Sequence, residues 1–395
     1  MTVPSVRIAG IGAVTGYGWG VEALWQGVSS GASACRPVKA DDDTETTETP
    51  SPSWAARIPD GGDPDDGPTL FARGLLASVR EAVADARLHG WRPGERVGLL
   101  HAAVLGEVDL WRSFYTQHAG DVSVRSFLSL MPSTPVSMCM KEHGFHGPTM
   151  SVGAMCTSGN AALIIAKQWL DSDFVDDVVV VTTDLSCSPE MLTHFRRLGV
   201  AVTDEEPFSA CRPFQQGSRG FVMGEASVAF VVTGPGRRPD HSYFGVLGGA
   251  MTHDAHHVTS IEPELNSVRQ CFERALRAGG VRADDVRYLN AHGPGTLQCD
   301  SAEATILDEM FTPDTWIYSL KPLLGHCQGA SAAAEIAVAA LAAAQQVLPL
   351  APQVAPGHER LLSGTHHLAP GLVAKSALGM GGHNAVVLLQ PPSQN

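Results

Sequence analysis

Hydrophobic residues recur along the chain in two alternating patterns. Short β-branched runs predict strands over residues 6–11, 97–100 and 176–183. Helical spacing of apolar residues predicts helices over 70–87, 163–170, 266–278 and 331–346. The run over 176–183 is apolar at most positions, which is typical of a strand covered on both faces. Strands that alternate with helices in this way predict a layered α/β fold.

Two parts of the chain repeat the same order of features. Each begins with a glycine-punctuated strand, at 6–12 and at 243–249. Each ends in a Gly-rich turn that leads into an apolar strand, at 224–232 and at 379–389. The stretch TGPGRRPD over 233–240 lies between the two parts and has the composition of a linker. We therefore predict a pseudo-duplicated α/β chain, with an N-terminal half over 1–235 and a C-terminal half over 236–395.

The composition is that of a globular protein with an acidic surface. Of 395 residues, 44% are hydrophobic and the mean hydropathy is +0.01, which is enough apolar material for a sizeable core. The net charge of −14 argues against nucleic acid or an anionic membrane as the main partner. Residues 41–66 hold nine acids against one base, which predicts a solvated surface loop.

The sequence favours a location in the cytoplasm. The first residues, MTVPSVRIAGIGAV, lack a basic region followed by an apolar run, so no signal peptide is expected. The apolar stretch 330–350 is interrupted by Glu335, Gln345 and Gln346, and it predicts a buried helix rather than a membrane span. The eight cysteines are scattered without CxxC spacing, which disfavours a disulfide framework and indicates a reducing compartment.

The segment VGAMCTSGNAALIIA, over 152–166, carries a candidate nucleophile. Cys156 follows a strand-like run and precedes a helix that Thr157 or Ser158 can cap. At a helix N-terminus the positive end of the dipole is expected to lower the pKa of the thiol. The same backbone amides can hold a developing oxyanion. The structural alternative is a small buried core cysteine.

Two further segments supply histidines and a lysine. His292 enters a Gly-Pro-Gly turn in LNAHGPGTLQCDSAEA. Lys321 and His326 lie on a Gly-bounded loop in SLKPLLGHCQGASAAAE, ahead of a helix that carries Glu335. Each histidine could instead be a satisfied structural residue, and a Cys/His/His zinc site is a competitor. We disfavour a metal because these residues are far apart in sequence, unlike typical structural zinc ligands. The histidines of HDAHH, 253–257, are expected in a solvated loop.

Taken together, these segments resemble the β-ketoacyl synthase family of fatty-acid and polyketide synthesis, in its elongating Cys-His-His type. The resemblance runs over nearly the whole chain, with RIAGIGAVTGYGWGVEALWQGVSSG at 7–31, CRPFQQGSRGFVMGEASVAFVV at 211–232 and SALGMGGHNAVVLL at 376–389. It implies a thiolase fold, with two pseudo-repeated βαβ halves in a five-layered αβαβα arrangement. It also implies a homodimer, or a heterodimer with a ketosynthase-like chain-length subunit.

The resemblance implies a decarboxylative Claisen condensation and gives each candidate residue a role. Cys156 would take the acyl chain from an acyl carrier protein and hold it covalently. His292 and His326 would donate hydrogen bonds to the enolate formed from a malonyl-carrier. Lys321 would orient the two histidines, with Glu335 as its partner. The expected product is a β-ketoacyl-carrier protein.

Other positions of the family's pattern surround the substrate arm. By resemblance, the backbone amides of Cys156 and Met380 form an oxyanion hole. The expected substrate- and pantetheine-binding residues are Thr259, Thr296, Leu378 and Met380. Substrates arrive on the phosphopantetheine of the carrier protein, so neither a bound cofactor nor a metal is expected. The candidates for docking the carrier are Arg73, Arg196, Arg197, Arg212 and Arg219.

Departures from the family's pattern leave the acceptor open. Pro294 replaces a threonine of many relatives, Leu378 and Met380 stand where the gate loop usually has phenylalanines, and His383 replaces the usual threonine. These changes favour a polyketide or specialised fatty-acid pathway. They also keep a second hypothesis open, an acyltransferase or cyclising enzyme that passes the acyl group to another nucleophile. A non-catalytic chain-length subunit is disfavoured by the thiol and both histidines, and a thiolase or an initiating Cys-His-Asn enzyme is disfavoured by His326.

Overall fold

The computed structural model describes residues 6–38, 53–116, 124–202, 205–237 and 239–392. The strands are β1 (Val6–Thr15), β2 (Gly18–Trp19), β3 (Arg36–Val38), β4 (Ser53–Ala56), β5 (Val97–Ala102), β6 (Thr149–Val152), β7 (Asp177–Leu185), β8 (Met223–Thr233), β9 (Gly245–His253), β10 (Val286–Asn290), β11 (Trp316–Tyr318), β12 (Val347–Pro349), β13 (Thr365–His367), β14 (Leu372–Gly379) and β15 (His383–Gln390). The helices are α1 (Val21–Ser29), α2 (Leu70–Leu88), α3 (Val108–Thr116), α4 (Val124–Ser129), α5 (Ser133–His143), α6 (Ser158–Asp171), α7 (Pro189–Arg197), α8 (Pro207–Ala210), α9 (Asn266–Gly279), α10 (Leu297–Met310), α11 (Lys321–Leu324) and α12 (Ser331–Gln345).

Two stretches of sheet with the same strand order form the framework. The first runs β1–β8–β7–β5–β6 and the second runs β9–β15–β14–β10–β11. In each, the first strand of the half pairs antiparallel with the last strand, and the pairs at the opposite end are parallel. The two stretches join where β1 pairs with β9, through Val6 with Val246 and Arg7 with Gly245. The pseudo-repeat is therefore visible in the topology, whereas the boundary between 235 and 236 stays a prediction.

Helices cover both faces of each sheet and give five layers. Helices α6 and α12 contact each other between the two sheets, and their apolar residues belong to the central core. Helices α2 and α5 cover the outer face of the first sheet. Helices α9 and α10 cover the outer face of the second sheet. This order matches the five-layered αβαβα arrangement implied by the resemblance.

Strand β7 shows why its sequence is apolar at successive positions. Val178 and Val180 pack in the central core, whereas Val179 and Val181 pack in the outer core that contains α2. Since successive side chains of a strand point to opposite faces, a strand between two helical layers needs apolar residues at both sets of positions. The prediction of a strand covered on both faces is confirmed.

The predicted helices are present, most with bounds close to those expected. The helices expected over 70–87, 266–278 and 331–346 are α2, α9 and α12, each within one residue of the predicted ends. Helix α6 begins earlier than its apolar spacing indicates, at Ser158, because its first residues are small and polar yet buried. Helix α12 is the predicted buried helix. Over the described ranges, no helix has both the length and the apolar character that crossing a membrane requires.

Part of the acidic segment is not a loop. Residues 41–52 lie outside the described residues, but Ser53–Ala56 form β4. Ala55 and Ala56 pair in parallel with the start of β8 and are buried. The prediction of a solvated loop is wrong over these residues, because the strand that pairs with them lies far along the chain and local composition does not report it.

Two glycines of β1 allow a helix to lie close against the sheet. A Cβ atom on Gly10 would lie 2.2 Å from the carbonyl oxygen of Ala82, and one on Gly12 would lie 2.0 Å from that of Ser78. Both carbonyls belong to α2. No side chain fits at either position, so these glycines set the spacing between the first sheet and its outer helix.

Candidate active site

Cys156 lies in a sharp turn between β6 and α6. Met155, just before it, has a left-handed backbone with φ of 50°. The turn is closed by the Thr157 amide, which donates to the Ala154 carbonyl at 3.1 Å, and by the Ser158 amide, which donates to the Met155 carbonyl at 3.0 Å. The thiol is therefore presented immediately ahead of α6, at the edge of the central layer.

The expected side-chain cap of α6 is absent. Thr157 Oγ1 donates to the Ala154 carbonyl at 2.7 Å, and Ser158 Oγ donates to the Met155 carbonyl at 2.6 Å. Neither hydroxyl accepts from an amide in the first turn of the helix. The capping prediction is wrong because the tight turn leaves its own carbonyls in reach of both hydroxyls.

Burial raises the pKa of the Cys156 thiol to about 11. The charge of Lys321 and the amide of Met380 act in the opposite direction but do not overcome the loss of solvent. The side chain is 5% exposed. The prediction of a lowered thiol pKa is therefore wrong, because the helix-dipole argument holds for a partly exposed thiol and this one is enclosed.

The structure brings Cys156, His292 and His326 together. The sulfur of Cys156 and ring nitrogens of the two histidines all lie within 4.8 Å of one another, and all three side chains are buried. The two imidazole rings meet edge to face, with centroids 5.3 Å apart. His292 follows β10 and His326 follows α11, so the C-terminal half supplies both rings while the N-terminal half supplies the thiol.

The hydrogen bonds of His326 assign its proton. The Gln328 amide donates to Nδ1 at 3.1 Å, and the Ser331 hydroxyl lies 2.9 Å from the same nitrogen. Burial, reinforced by the charge of Lys321, lowers the pKa of His326 well below its usual value, so the ring is neutral at pH 7. A neutral ring that accepts at Nδ1 carries its proton on Nε2. His326 therefore offers a hydrogen-bond donor at Nε2.

The same three residues bear on the zinc alternative. The ligand atoms of Cys156, His292 and His326 lie within 4.8 Å of one another, which is close enough to hold a metal ion. The absence of a metal therefore stays a prediction.

A buried ion triad lies behind the histidines. Lys321 Nζ donates to the main-chain carbonyl of His292 and pairs with Glu335 Oε1 at 2.7 Å. Lys375 Nζ pairs with Glu335 Oε2 at 2.6 Å and donates to the Ser376 carbonyl at 2.9 Å. All three charged side chains are almost fully buried. The predicted Lys321–Glu335 pair is present, but it has a second lysine.

Lys375 and Glu303 were not among the residues singled out in the sequence. Glu303 accepts from the amides of His292 and Gly293, each at 2.7 Å, and so holds the turn that carries the His292 ring. Ser376 donates to the same carboxylate. The signal for Lys375 was a lone charge in the otherwise uncharged strand β14, and burial of that strand makes such a charge costly unless it is paired.

The Gly-rich turn after β14, which contains the gate-loop residue Met380, packs on the start of α6. A Cβ on Gly379 would lie 3.2 Å from Thr157 Cγ2, and the turn continues through Gly381 and Gly382 with φ of 89° and 88°. Met380 lies in this turn with its amide directed toward the Cys156 sulfur. Leu378 is buried in the outer core of the second sheet.

The two threonines expected near the substrate arm differ in exposure. Thr296 is half-buried and immediately precedes α10, and Thr259 is exposed, with its hydroxyl 3.1 Å from Nδ1 of His257. The histidines of 253–257 are exposed, as predicted, although His253 is the last residue of β9 rather than a loop residue.

Of the five candidate docking arginines, three are bonded to other groups of the chain and two are exposed at a helix end. Arg73 donates to the Gly61 carbonyl at 2.6 Å and Arg212 to the Gly217 carbonyl at 2.7 Å, so both are held by the fold. Arg219 pairs with Glu205 at 2.7 Å. The remaining two, Arg196 and Arg197, are exposed at the end of α7.

Comparison with known families decides the relationship. The model of the beta-ketoacyl synthase N-terminal domain matches residues 4–234, and that of the beta-ketoacyl synthase C-terminal domain matches residues 243–354. The chain belongs to the beta-ketoacyl synthase family. The predicted ketosynthase, an enzyme of the acyltransferase type, is confirmed.

Relatives of this ketosynthase come from both polyketide and fatty-acid synthesis. It is 29% identical to the tetracenomycin polyketide synthase ketoacyl synthase alpha subunit of Streptomyces glaucescens, over 87% of this chain and 86% of the relative. It is 26% identical to 3-oxoacyl-[acyl-carrier-protein] synthase 2 of Staphylococcus aureus, over 98% of both chains.

Solved structures confirm the thiolase-type fold of the ketosynthase. One contains a type II polyketide acyl-carrier protein in complex with its ketosynthase. The match has a TM-score of 0.86 at 19% identity, and it covers 99% of this chain and 100% of that one. Another is the ishigamide ketosynthase/chain length factor, with a TM-score of 0.83 at 22% identity over 99% of this chain and 100% of that one.

Proposed function

We propose that this chain elongates an acyl group held on Cys156 with the two-carbon unit of a malonyl thioester carried by an acyl carrier protein. One observation carries the proposal: a buried thiol lies within 4.8 Å of two imidazoles, one of which presents an N–H donor. A thiol can hold an acyl group, and two such donors can stabilise an enolate.

The first half-reaction loads the acyl chain. Sγ of Cys156 bonds the acyl carbon, the bond between that carbon and the carrier sulfur breaks, and the proton of Cys156 passes to the departing carrier thiol. The ring of His292 is close enough to relay this proton. The amides of Cys156 and Met380, which act on the thiol in the resting protein, donate to the oxyanion that forms on the acyl carbonyl.

The second half-reaction forms the new carbon–carbon bond. The bond to the malonyl carboxylate breaks, carbon dioxide leaves, and the electron pair forms an enolate on the thioester. His326 Nε2–H and an N–H of His292 donate to the enolate oxygen, and each such donor contributes on the order of 10²–10³ in rate. The enolate carbon attacks the acyl carbon, the bond to Sγ breaks, and Cys156 takes up one proton from solvent.

The ion triad supports this chemistry from behind the rings. Burial, together with the positive charge of Lys321, lowers the pKa of His292 and of His326 well below the usual value. A neutral imidazole carries one N–H, so it can donate a hydrogen bond to the enolate without bringing a positive charge next to the thiol. Lys321 and Glu335 are thus positioning residues, and Lys375 joins them.

The partners proposed are an acyl carrier protein and a second ketosynthase-fold chain. Relatives and structural neighbours are described with both.

The edge of the first sheet offers a surface for the second chain. Strand β6 ends that sheet within the described part of the chain, and Met150 on β6 is 46% exposed. An open edge of this kind is a ready pairing site. Helix α3 in the connection before β6 adds the exposed side chains of Trp111 and Tyr115. The mass of the assembly in solution distinguishes a homodimer from a heterodimer.

The cysteines bear on the compartment of the enzyme, and the proposed carrier protein bears on its cofactor. All eight cysteines are free, which supports a reducing compartment such as the cytoplasm. We propose that no cofactor belongs to the chain and that the phosphopantetheine arrives with the carrier protein.

The proposed function is tested by intact-protein mass spectrometry. The protein is incubated with acyl-carrier thioesters of several lengths and then with malonyl-carrier. An adduct on Cys156 that disappears as a β-ketoacyl-carrier forms is expected. Cys156→Ala should not load, while the matched variant Cys139→Ala, at a buried cysteine in the outer layer, should load normally.

Histidine variants separate loading from condensation. His292→Ala and His326→Ala should retain some loading but lose carbon dioxide release and condensation. Normal condensation in either variant would contradict the enolate-binding role. An adduct that persists with malonyl-carrier but discharges onto another nucleophile would replace condensation with acyl transfer, the second hypothesis.

A further inference from the structure

Gln328 contacts the nucleophile and carries a buried amide nitrogen that has no hydrogen-bond partner in the part of the chain that the structure describes. Its side-chain Oε1 accepts from the Cys156 thiol, with sulfur and oxygen 3.9 Å apart. The residue is 1% exposed, and its Nε2 is buried without a hydrogen-bond partner among the described residues. Both amide atoms are bonded to one carbon, so Nε2 lies next to the oxygen that contacts the Cys156 sulfur.

Two unfavourable features coincide at this residue. A buried amide nitrogen without an acceptor loses its hydrogen bonds to water. The backbone of Gln328 is also in the left-handed region, with φ of 45°, which is unfavourable for a residue with a side chain. Methionine or leucine would fill similar space without the unpaired donor. Unfavourable groups of this kind concentrate where they serve a ligand or a reaction.

The main chain of Gln328 already serves the site. Its amide donates to Nδ1 of His326 and thereby places the proton of that ring on Nε2. Gly329, the next residue, donates to the buried carboxyl of Asp184 at 3.3 Å, which fixes the turn on its other side. The side chain of Gln328 is therefore held at a defined position beside the sulfur rather than free to leave it.

We propose that Gln328 is a specificity-determining residue, whose free Nε2–H binds an oxygen on the acyl chain close to the thioester. The substrate class favoured is a chain with a keto oxygen near its thioester end, over a saturated chain of the same length. This inference rests on the proposed function, since it requires an acyl group on Cys156. A saturated chain leaves the donor unpaired, whereas a keto oxygen pairs it.

The test compares butanoyl and 3-oxobutanoyl thioesters of N-acetylcysteamine, which differ by one oxygen. Rates of adduct formation are measured by intact mass for the wild-type protein, Gln328→Met and Gln328→Leu. The wild type should favour the 3-oxo thioester, and both variants should lower the ratio of 3-oxobutanoyl to butanoyl loading by roughly 10-fold. Folding of each variant is checked by circular dichroism.

The matched control is Gln346→Met. Gln346 lies at the far end of α12 and shares the left-handed backbone, with φ of 56°, so the same substitution is made away from the sulfur. It should leave the preference unchanged. A preference that is equal in wild type and Gln328 variants, or loss of both thioesters to the same extent, overturns the specificity role. Absence of any wild-type adduct overturns the proposed function, and this inference with it.

Discussion

The enclosed thiol of Cys156 predicts an alkaline reactivity profile. With a pKa of about 11, only about one thiol in 10⁴ is ionised at pH 7, against a few in 100 for a free cysteine. Since the thiolate is the reactive form, iodoacetamide should modify Cys156 on the order of 10²-fold more slowly than a free thiol at pH 7. The rate should rise about 10-fold per pH unit from pH 6 to pH 10.

The rate is followed on the proteolytic peptide that contains Cys156, because seven other cysteines are present. Cys156→Ser confirms the identity of that peptide. A protein loaded with an acyl group provides a second control, in which the peptide should be protected at every pH. A plateau between pH 6 and pH 8 would show an ionised resting thiol. It would refute the conclusion that burial outweighs the helix N-terminus and the charge of Lys321.

Two further outcomes concern stability. Glu335→Gln leaves two buried ammonium groups without their counter-charge and should lower the free energy of unfolding by about 3–5 kcal/mol in urea titrations. Lys375→Met leaves a neutral pair and should cost less, so equal losses would contradict the triad. Gly12→Ala places a Cβ 2.0 Å from a carbonyl of α2 and should cost about 1–3 kcal/mol or more. Gly74→Ala, with 3.6 Å of room on α2, should be neutral or stabilising, and a similar loss in both would contradict the close packing.

Much of the fold was predictable because its signals are local. The apolar run of β7 and the spacing of α2, α9 and α12 follow from which faces each element buries. The prediction failed at β4, where a short strand within an acidic segment owes its existence to pairing with β8. Pairing between distant strands leaves no local pattern to detect.

The site was predictable to the same extent. Cys156, His292, His326 and Lys321 stand in short segments with recognisable surroundings, and the structure brings them together. Gln328 lies in the same segment as two of them, but its role was not predictable because nothing in the neighbouring sequence shows that its amide contacts the sulfur. The pKa of the thiol was predicted in the wrong direction since enclosure is a property of the assembled layers, not of the helix that follows the cysteine.

Helices α6 and α12 cross so closely that a chimera of two relatives needs small residues at the crossing in both halves. A Cβ on Gly159 would lie 3.0 Å from the Ala333 amide nitrogen and 3.2 Å from Ala332 Cβ, so the helix behind the thiol and the helix behind the histidines touch through their smallest residues. A chimera that takes its first half from one relative and its second from another would keep the sulfur-to-imidazole distance only where both parents are small at this crossing. A larger residue on one of the two helices would therefore need a compensating change on the other.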